Sequence, residues 1–154
     1  MTTQRLHESD FAAALERFEQ CLEGPVIPGE MPSWLRAARD SCREASAWFK
    51  TNVKETHEEL LREISRQDME LAPRVDALSV VHRDLRRQWV RIQKQLERLC
   101  EQADRTEPHE APLNLDIERL RDQTLKHVIE VRKHEAALTT WYLEAFNRDR
   151  GVAD

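Results

Sequence analysis

The stretch RVDALSVVHRDLRRQWVRIQKQLERLCEQA, residues 74–103, decides the fold. Its large apolar residues recur three or four positions apart, at Leu78, Val81, Leu85, Trp89, Ile92, Leu96 and Leu99. This spacing places them along one face of an α-helix and leaves the charged residues on the other face. Three further segments have the same periodicity, and none alternates with the two-residue period of a strand. The sequence therefore predicts an all-α protein.

Glycine and proline residues mark the ends of the predicted helices. The first two helices are separated by GPVIPGEMP, residues 24–32, and the last two by EPHEAP, residues 107–112. Pro73 stands alone between the second and the third. The four predicted helices cover residues 3–23, 33–72, 74–103 and 112–149.

Short connections make successive helices antiparallel neighbours. We therefore predict one domain, residues 1–154, folded as an antiparallel up-down-up-down four-helix bundle. Ser33, after Pro32, is expected to cap the second helix, and the run Thr51-Asn52-Val53 marks the candidate position for a bend in it. The residues expected in the core are Leu15, Phe49, Leu60, Leu85, Ile92, Val131 and Leu138.

Composition and charge exclude several classes of partner. The net charge of −5 argues against a nucleic-acid binder. Acidic neighbours such as Asp84 and Glu97 indicate a solvated face where the third helix carries its cations, Arg83, Arg86, Arg87, Arg91, Lys94 and Arg98. No segment approaches the roughly 18 apolar residues of a membrane helix. We thus expect neither a nucleic acid nor a membrane as partner, and leave open an unknown protein partner.

Cysteine usage and the N-terminus favour the cytoplasm. Cys21, Cys42 and Cys100 form no C-x-x-C motif, which is typical of thiols that stay reduced. The opening MTTQRLHESD has no apolar stretch that could serve as a signal peptide.

The informative residues are polar ones that helical periodicity turns inward. On the second helix, centred on Leu60, Gln67 falls in the middle of the core face. On the third helix, His82 lies at the edge of the apolar stripe. Residues that project to a core face or its edge on the four helices, and are therefore candidate ligands, are His7, His57, Glu63, His82, His127, His134 and Glu135.

Imidazole and carboxylate groups that converge from facing helices are how helical bundles build iron sites. The ordinary alternative is that each histidine is half-buried, with a ring nitrogen bonded to solvent or a neighbour. Other chemistry finds no support. Every histidine followed by glutamate lacks the second histidine, four residues on, that a zinc protease needs. We find no phosphate-binding loop or nucleophile motif, and we predict no enzyme.

Three motifs resemble the hemerythrin-like (HHE) family. QDMELAPRVDAL, residues 67–78, resembles the acidic–apolar–proline end of that family's second helix. VVHRDLRRQW, residues 80–89, resembles its third-helix motif, and LRDQTLKHVIEVRKHEAAL, residues 120–138, its fourth. The resemblance covers nearly the whole chain and places His82 and His127 at family histidines, with His7 as the first.

The resemblance implies a four-helix bundle that binds non-haem iron, for oxygen binding, sensing or iron handling. In the family register, Glu63 and Gln67 stand where the second helix has its histidine and glutamate, and Val131 replaces the glutamate of the fourth. These departures predict one iron, or a labile pair, with His82 and His127 as leading ligands. The alternative function is a metal-free helical bundle that acts as an interaction or scaffold protein.

Overall fold

The computed structural model describes residues 2–52, 57–67, 69–105 and 112–150. Within these ranges every regular element is helical and no strand occurs, which confirms the all-α class. A short 3₁₀ turn, Met69–Leu71, lies between the third and fourth helices. The described helices are α1 (Thr2–Glu23), α2 (Met31–Asn52), α3 (Glu58–Gln67), α4 (Ala72–Arg105) and α5 (Pro112–Arg150). No helix in the described ranges is long and apolar enough to cross a membrane.

The predicted helix over residues 33–72 corresponds to two described helices and a 3₁₀ turn, and its continuity across residues 53–56 stays a prediction. α2 ends at Asn52, where a bend was expected, and α3 begins at Glu58 after a π-helical turn at His57. Residues 53–56 lie outside the described ranges. A π-turn holds one more residue than an α-turn and so shifts the phase of the helix that follows. Leu60 is therefore only half-buried, contrary to our expectation, and Leu61 is buried instead.

Two prolines that we took as boundaries lie inside the first turns of helices. Pro32 is the second residue of α2 and Pro73 the second of α4. Proline fits in the first turn because its fixed φ is close to the helical value. It also lacks an N–H, and the N–H groups of the first turn have no acceptor within the helix. Ser33 is consequently not the cap; the backbone N–H of Trp34 donates to Glu30 O at 3.0 Å.

α4 follows a strict seven-residue pattern, which places its one histidine in the core. The residues Leu78, His82 and Leu85 are all buried, whereas Val81 is 43% exposed. Val81 was predicted to belong to the stripe, with His82 at its edge. The buried residues of α4 up to Leu99 alternate at spacings of three and four, an average repeat of 3.5 residues as in a coiled-coil seam. This repeat places residue 82, and not residue 81, in the core.

Cross-helix contacts show that α1 and α2 are antiparallel. The rings of Phe11 and Phe49 are 6.0 Å apart at one end of the pair. At the other end, Trp34 Nε1 donates to Cys21 O at 3.0 Å. α1 also contacts α5, and α4 contacts α2, α3 and α5.

The buried apolar residues form two separate clusters. Apart from Leu60, all the predicted core residues are buried. The large cluster is drawn from α1, α2, α4 and α5 and contains Phe11, Ala14, Leu15, Phe18, Leu22, Leu35, Ala38, Cys42, Ala45, Phe49, Leu85, Trp89, Ile92, Leu96, Leu99, Cys100, Ile117, Leu120, Val128 and Val131. The small cluster contains Leu61, Ile64, Leu71, Val75, Leu78, Leu138 and Ala145.

Candidate metal site

Three buried histidines lie between the two clusters, and we call them the histidine layer: His57, His82 and His134. On α4, His82 follows Leu78 of the small cluster and precedes Leu85 of the large one. His57 directly precedes α3.

α5 repeats this arrangement in the opposite direction. His134 follows Val131 of the large cluster and precedes Leu138 of the small one. The layer therefore coincides with the place where both long helices pass from one core to the other.

The three imidazoles are close enough to share one ligand. Ring centroids are 5.1 Å apart for His82 and His134, 5.3 Å for His57 and His82, and 5.8 Å for His57 and His134. One ring nitrogen of each residue lies within 4.8 Å of a ring nitrogen of the other two. The three side chains come from three different segments, so this convergence is a property of the tertiary fold.

Hydrogen bonding leaves most of these nitrogens without a partner. His57 Nε2 lies 3.2 Å from Glu135 Oε2 and 3.1 Å from Oε1. The buried atoms His57 Nδ1, His82 Nε2 and both ring nitrogens of His134 have no partner among the described residues. A buried polar atom left unsatisfied costs about 1–3 kcal/mol. The layer therefore contains a concentrated set of donor atoms that lack a ligand.

Burial keeps the imidazoles of His82 and His134 neutral at physiological pH by lowering their pKa values. Desolvation, followed by repulsion from His57 and Arg86, lowers the pKa of His82 to about 4. Desolvation is also the main cause that lowers the pKa of His134 to about 4, with repulsion from His82 and His57 adding to it. Neutral imidazole is the form that coordinates a metal.

Aromatic residues close the layer on the side of the large cluster. The Phe49 ring lies 5.6 Å from that of His82, and the Trp89 ring lies 6.2 Å from that of Phe49. Asn52, which the sequence indicated only as part of a bend, is also buried, and its Oδ1 has no partner among the described residues.

The structure pairs His82 with His134 and not with His127, the partner that the resemblance implied. His127 packs edge-on against Trp89, with ring centroids 4.6 Å apart. It lies seven residues before His134 on the same helix, or about 10.5 Å along the axis. Ring contacts lead from His82 through Phe49 and Trp89 to His127. His127 is thus not part of the histidine group, and the assignment of His82 and His127 as leading metal ligands stays a prediction that this grouping does not favour.

Other predicted ligands have different positions. Glu63 accepts hydrogen bonds from Arg66 at 3.0 Å and Gln67 at 2.8 Å, and it is not part of the histidine group. Gln67 is exposed, contrary to its predicted place in the core face. Glu135 contacts the layer through His57. The side chain of His7 lies outside the described side chains, so its assignment stays a prediction.

A signal for the correct pairing was present in the sequence. α4 and α5 are antiparallel, so residues equally distant from the segment 106–111 between them lie at the same level. His82 and His134 satisfy this condition, as do Trp89 and His127. The number of residues from the segment 106–111 places His134 beside His82, whereas the family motif placed His127 there.

Comparison of the chain with protein-family models, with curated proteins and with solved structures gave no match. The functional argument therefore depends on the geometry of the histidine layer.

Proposed function

We propose that this chain is a hemerythrin-like metal-binding protein in which His57, His82 and His134 hold one non-haem iron ion. The observation that carries the proposal is the convergence of three buried imidazoles, four of whose six ring nitrogens lack a partner among the described residues. We further propose that the fold is an up-down four-helix bundle whose second member comprises α2 and α3.

The donor set suits a divalent transition metal. Imidazole ligands favour iron, zinc, copper or nickel over calcium or magnesium. Metal–nitrogen bonds are about 2.1 Å long, so two nitrogens on one ion are at most about 4.2 Å apart. The observed separations of up to 4.8 Å need only small ring rotations to meet that limit. Iron is chosen among these metals because of the family resemblance.

Glu135 is the residue that orients the site. Its carboxylate lies 3.2 Å from His57 Nε2, and in the tautomer that carries the proton on Nε2 it accepts that hydrogen bond and leaves the lone pair of Nδ1 available to a metal. A carboxylate behind a ligating histidine also raises the basicity of the imidazole.

One ion is expected, because no carboxylate of the described residues joins the three histidines to bridge a second. Three protein ligands leave coordination positions for an external molecule, and bound ferrous iron would supply the redox chemistry that oxygen binding or sensing requires. Phe49 and the large cluster exclude bulk water from that side.

The scaffold alternative finds no contiguous apolar surface along the described part of α5. The exposed apolar residues of α5 are Leu115, Ile129 and Leu143. Their 14-residue spacing puts neighbours about 21 Å apart, so charged residues separate them. A docking surface would require a continuous patch.

The test is anaerobic titration of the purified, metal-free chain with ferrous iron, followed by elemental analysis after desalting. We expect one equivalent of iron to be retained, and His134→Gln to reduce the affinity at least 100-fold. A parallel titration with zinc separates general metal binding from iron binding.

His127→Gln is the matched control, because His127 is also buried, neutral and on α5. It should leave the affinity for iron within about twofold. Failure of the wild-type chain to bind either metal, or equal losses in the two variants, would overturn the proposal.

A further inference from the structure

A continuous line of positive charge runs along the solvent side of α4. Its members lie within 16 residues, which corresponds to about 22 Å along the helix axis, and within a sector about 140° wide. All are exposed. We call this set the basic stripe: Arg83, Arg86, Arg87, Arg91, Lys94 and Arg98.

Neighbouring carboxylates leave most of the stripe unneutralised. Arg87 pairs with Asp84 at 3.3 Å, and this is the only ion pair that a stripe residue makes with the described residues. The other acidic residue within 83–98, Glu97, is engaged by Arg43 of α2 at 2.9 Å. Asp84 therefore neutralises part of the stripe, Glu97 is occupied by α2, and Arg98 shares a groove with Asp116 and Asp122 of α5. The cations from Arg83 to Lys94 other than Arg87 face solvent without an ion pair among the described residues.

The middle of the stripe is a shallow depression of about 490 Å³. Val90, which is 50% exposed, is the apolar residue of its lining. Four guanidinium groups surround it, those of Arg83, Arg86, Arg87 and Arg91. Guanidinium is a planar fork that pairs with two phosphate oxygens at once.

We propose that the basic stripe docks on the phosphate backbone of double-stranded nucleic acid without reading its sequence. A duplex carries one charge per roughly 1.7 Å of axis, so it offers partners along the whole stripe. The proposal reverses the expectation from net charge. Screening lengths near 8 Å at physiological salt weaken repulsion from more distant acidic surfaces, so the local charge governs docking.

The chemistry of the stripe is less suited to other anionic partners. Binding of single strands relies on stacking on aromatic side chains, and the described part of the stripe exposes none. Val90 is the one large apolar residue exposed within 83–98. A membrane surface or an amphipathic helix would need a broader apolar face.

The experiment measures fluorescence anisotropy of two labelled 20-base-pair duplexes of unrelated sequence, between 50 and 200 mM salt. The wild-type chain should bind both with affinities within about threefold. The triple variant Arg83→Gln, Arg87→Gln, Arg91→Gln should lose at least tenfold in affinity at 50 mM salt. Its slope of log K against log salt should be shallower by about 2.7, since each lost phosphate contact removes about 0.9.

The control variant, Lys50→Gln, Arg62→Gln, Lys133→Gln, has the same net charge but leaves α4 unchanged. It should bind as the wild type does, and circular dichroism should show all three proteins equally helical. Equal losses in the two variants would overturn the proposal, because overall charge would then explain binding. Absence of duplex binding at 50 mM salt, or binding only to phosphatidylserine vesicles, would also overturn it.

Discussion

The large and small clusters, on either side of the histidine layer, differ in how many helices build them. The large cluster receives residues from α1, α2, α4 and α5. The small cluster is formed by α3, the turn Met69–Leu71, the start of α4 and the end of α5. Since buried apolar area is the main source of stability, the region around α3 is the weaker half of the protein.

Ion pairs follow the same division. Pairs between helices flank the large cluster, among them Arg17–Glu44 at 2.5 Å and Arg36–Asp104 at 3.2 Å. Near the small cluster, Glu63 pairs within α3, with Arg66. The contact of His57 with Glu135 links the start of α3 to α5. We therefore expect the stability of the small cluster to depend more on the histidine layer than that of the large cluster.

Truncation of one leucine in each cluster should give the largest effects. Leu96→Ala and Leu138→Ala should each cost about 2–5 kcal/mol in the free energy of unfolding. Leu96 should lie near the upper end, because its neighbours are fully packed. Half-buried Trp141 and Tyr142 adjoin the small cluster and can partly fill the space that Leu138 leaves.

Urea unfolding followed by circular dichroism measures both values. Leu143→Ala, at a site that is 54% exposed, is the control and should change stability by less than about 0.5 kcal/mol. A larger loss for Leu138 than for Leu96 would reverse the ranking of the two regions.

Acid should destabilise the metal-free protein through its buried histidines. Desolvation lowers the pKa of His127 to about 4, from 6.5 in the unfolded chain. Between pH 4 and 6.5 the unfolded chain therefore binds more protons than the folded protein. The free energy of unfolding is highest above pH 6.5 and decreases as the pH falls toward 4. Each such histidine contributes up to about 3 kcal/mol.

Urea unfolding at pH 7.0, 6.0 and 5.0 checks the direction of this effect. In His127→Gln the dependence on pH should be shallower than in the wild-type chain. An unchanged slope would mean that His127 protonates in the folded state at its ordinary pKa.

Metal binding should protect the small cluster more than the large one. Ferrous iron at 100 times its Kd should stabilise the folded state by about 2.7 kcal/mol. Hydrogen exchange should slow most in α3 and in residues 72–78, because the ion would join His57 to α4 and α5. Amides in residues 35–49 are the internal reference, and equal slowing in both regions would contradict the division.

Loss of a surface ion pair should have the smallest effect. Glu44→Gln removes the pair with Arg17, which is about half exposed on both sides. Solvent screening limits such pairs to less than about 1 kcal/mol. The control is Glu118→Gln, at an exposed glutamate that makes no ion pair with the described residues. A larger decrease in melting temperature for Glu44→Gln than this control, by more than the equivalent of about 1 kcal/mol, would show that the pair is stronger than its exposure indicates.

The spacing of apolar residues and the positions of glycine and proline predicted most helices, because Gly24, Pro25 and the polar segment 106–112 separate stretches with a clear helical repeat. They did not predict which face of α3 is buried. The π-helical turn at His57 holds one more residue than an α-turn and so rotates the side chains of α3 about the helix axis. Leu60 and Leu61 differ by one position, and local pattern alone does not settle which of them packs inward.

The candidate site was predicted in its residue types but not in its pairing. His57, His134 and Glu135 were recognised as inward-facing, yet the family motif favoured His127. Which histidines share a level depends on the antiparallel register of α4 and α5, which is a tertiary property. The unpartnered nitrogens of His134 can be recognised only once its neighbours are placed.

X-ray absorption at the iron edge, on the wild-type chain loaded with one equivalent of ferrous iron, tests the central claim most directly. The account predicts three imidazole ligands at about 2.0–2.2 Å, with the multiple scattering that is typical of histidine rings. His134→Gln should reduce that number, and His127→Gln should leave the spectrum unchanged. A first shell of oxygen atoms alone would contradict a metal site in the histidine layer.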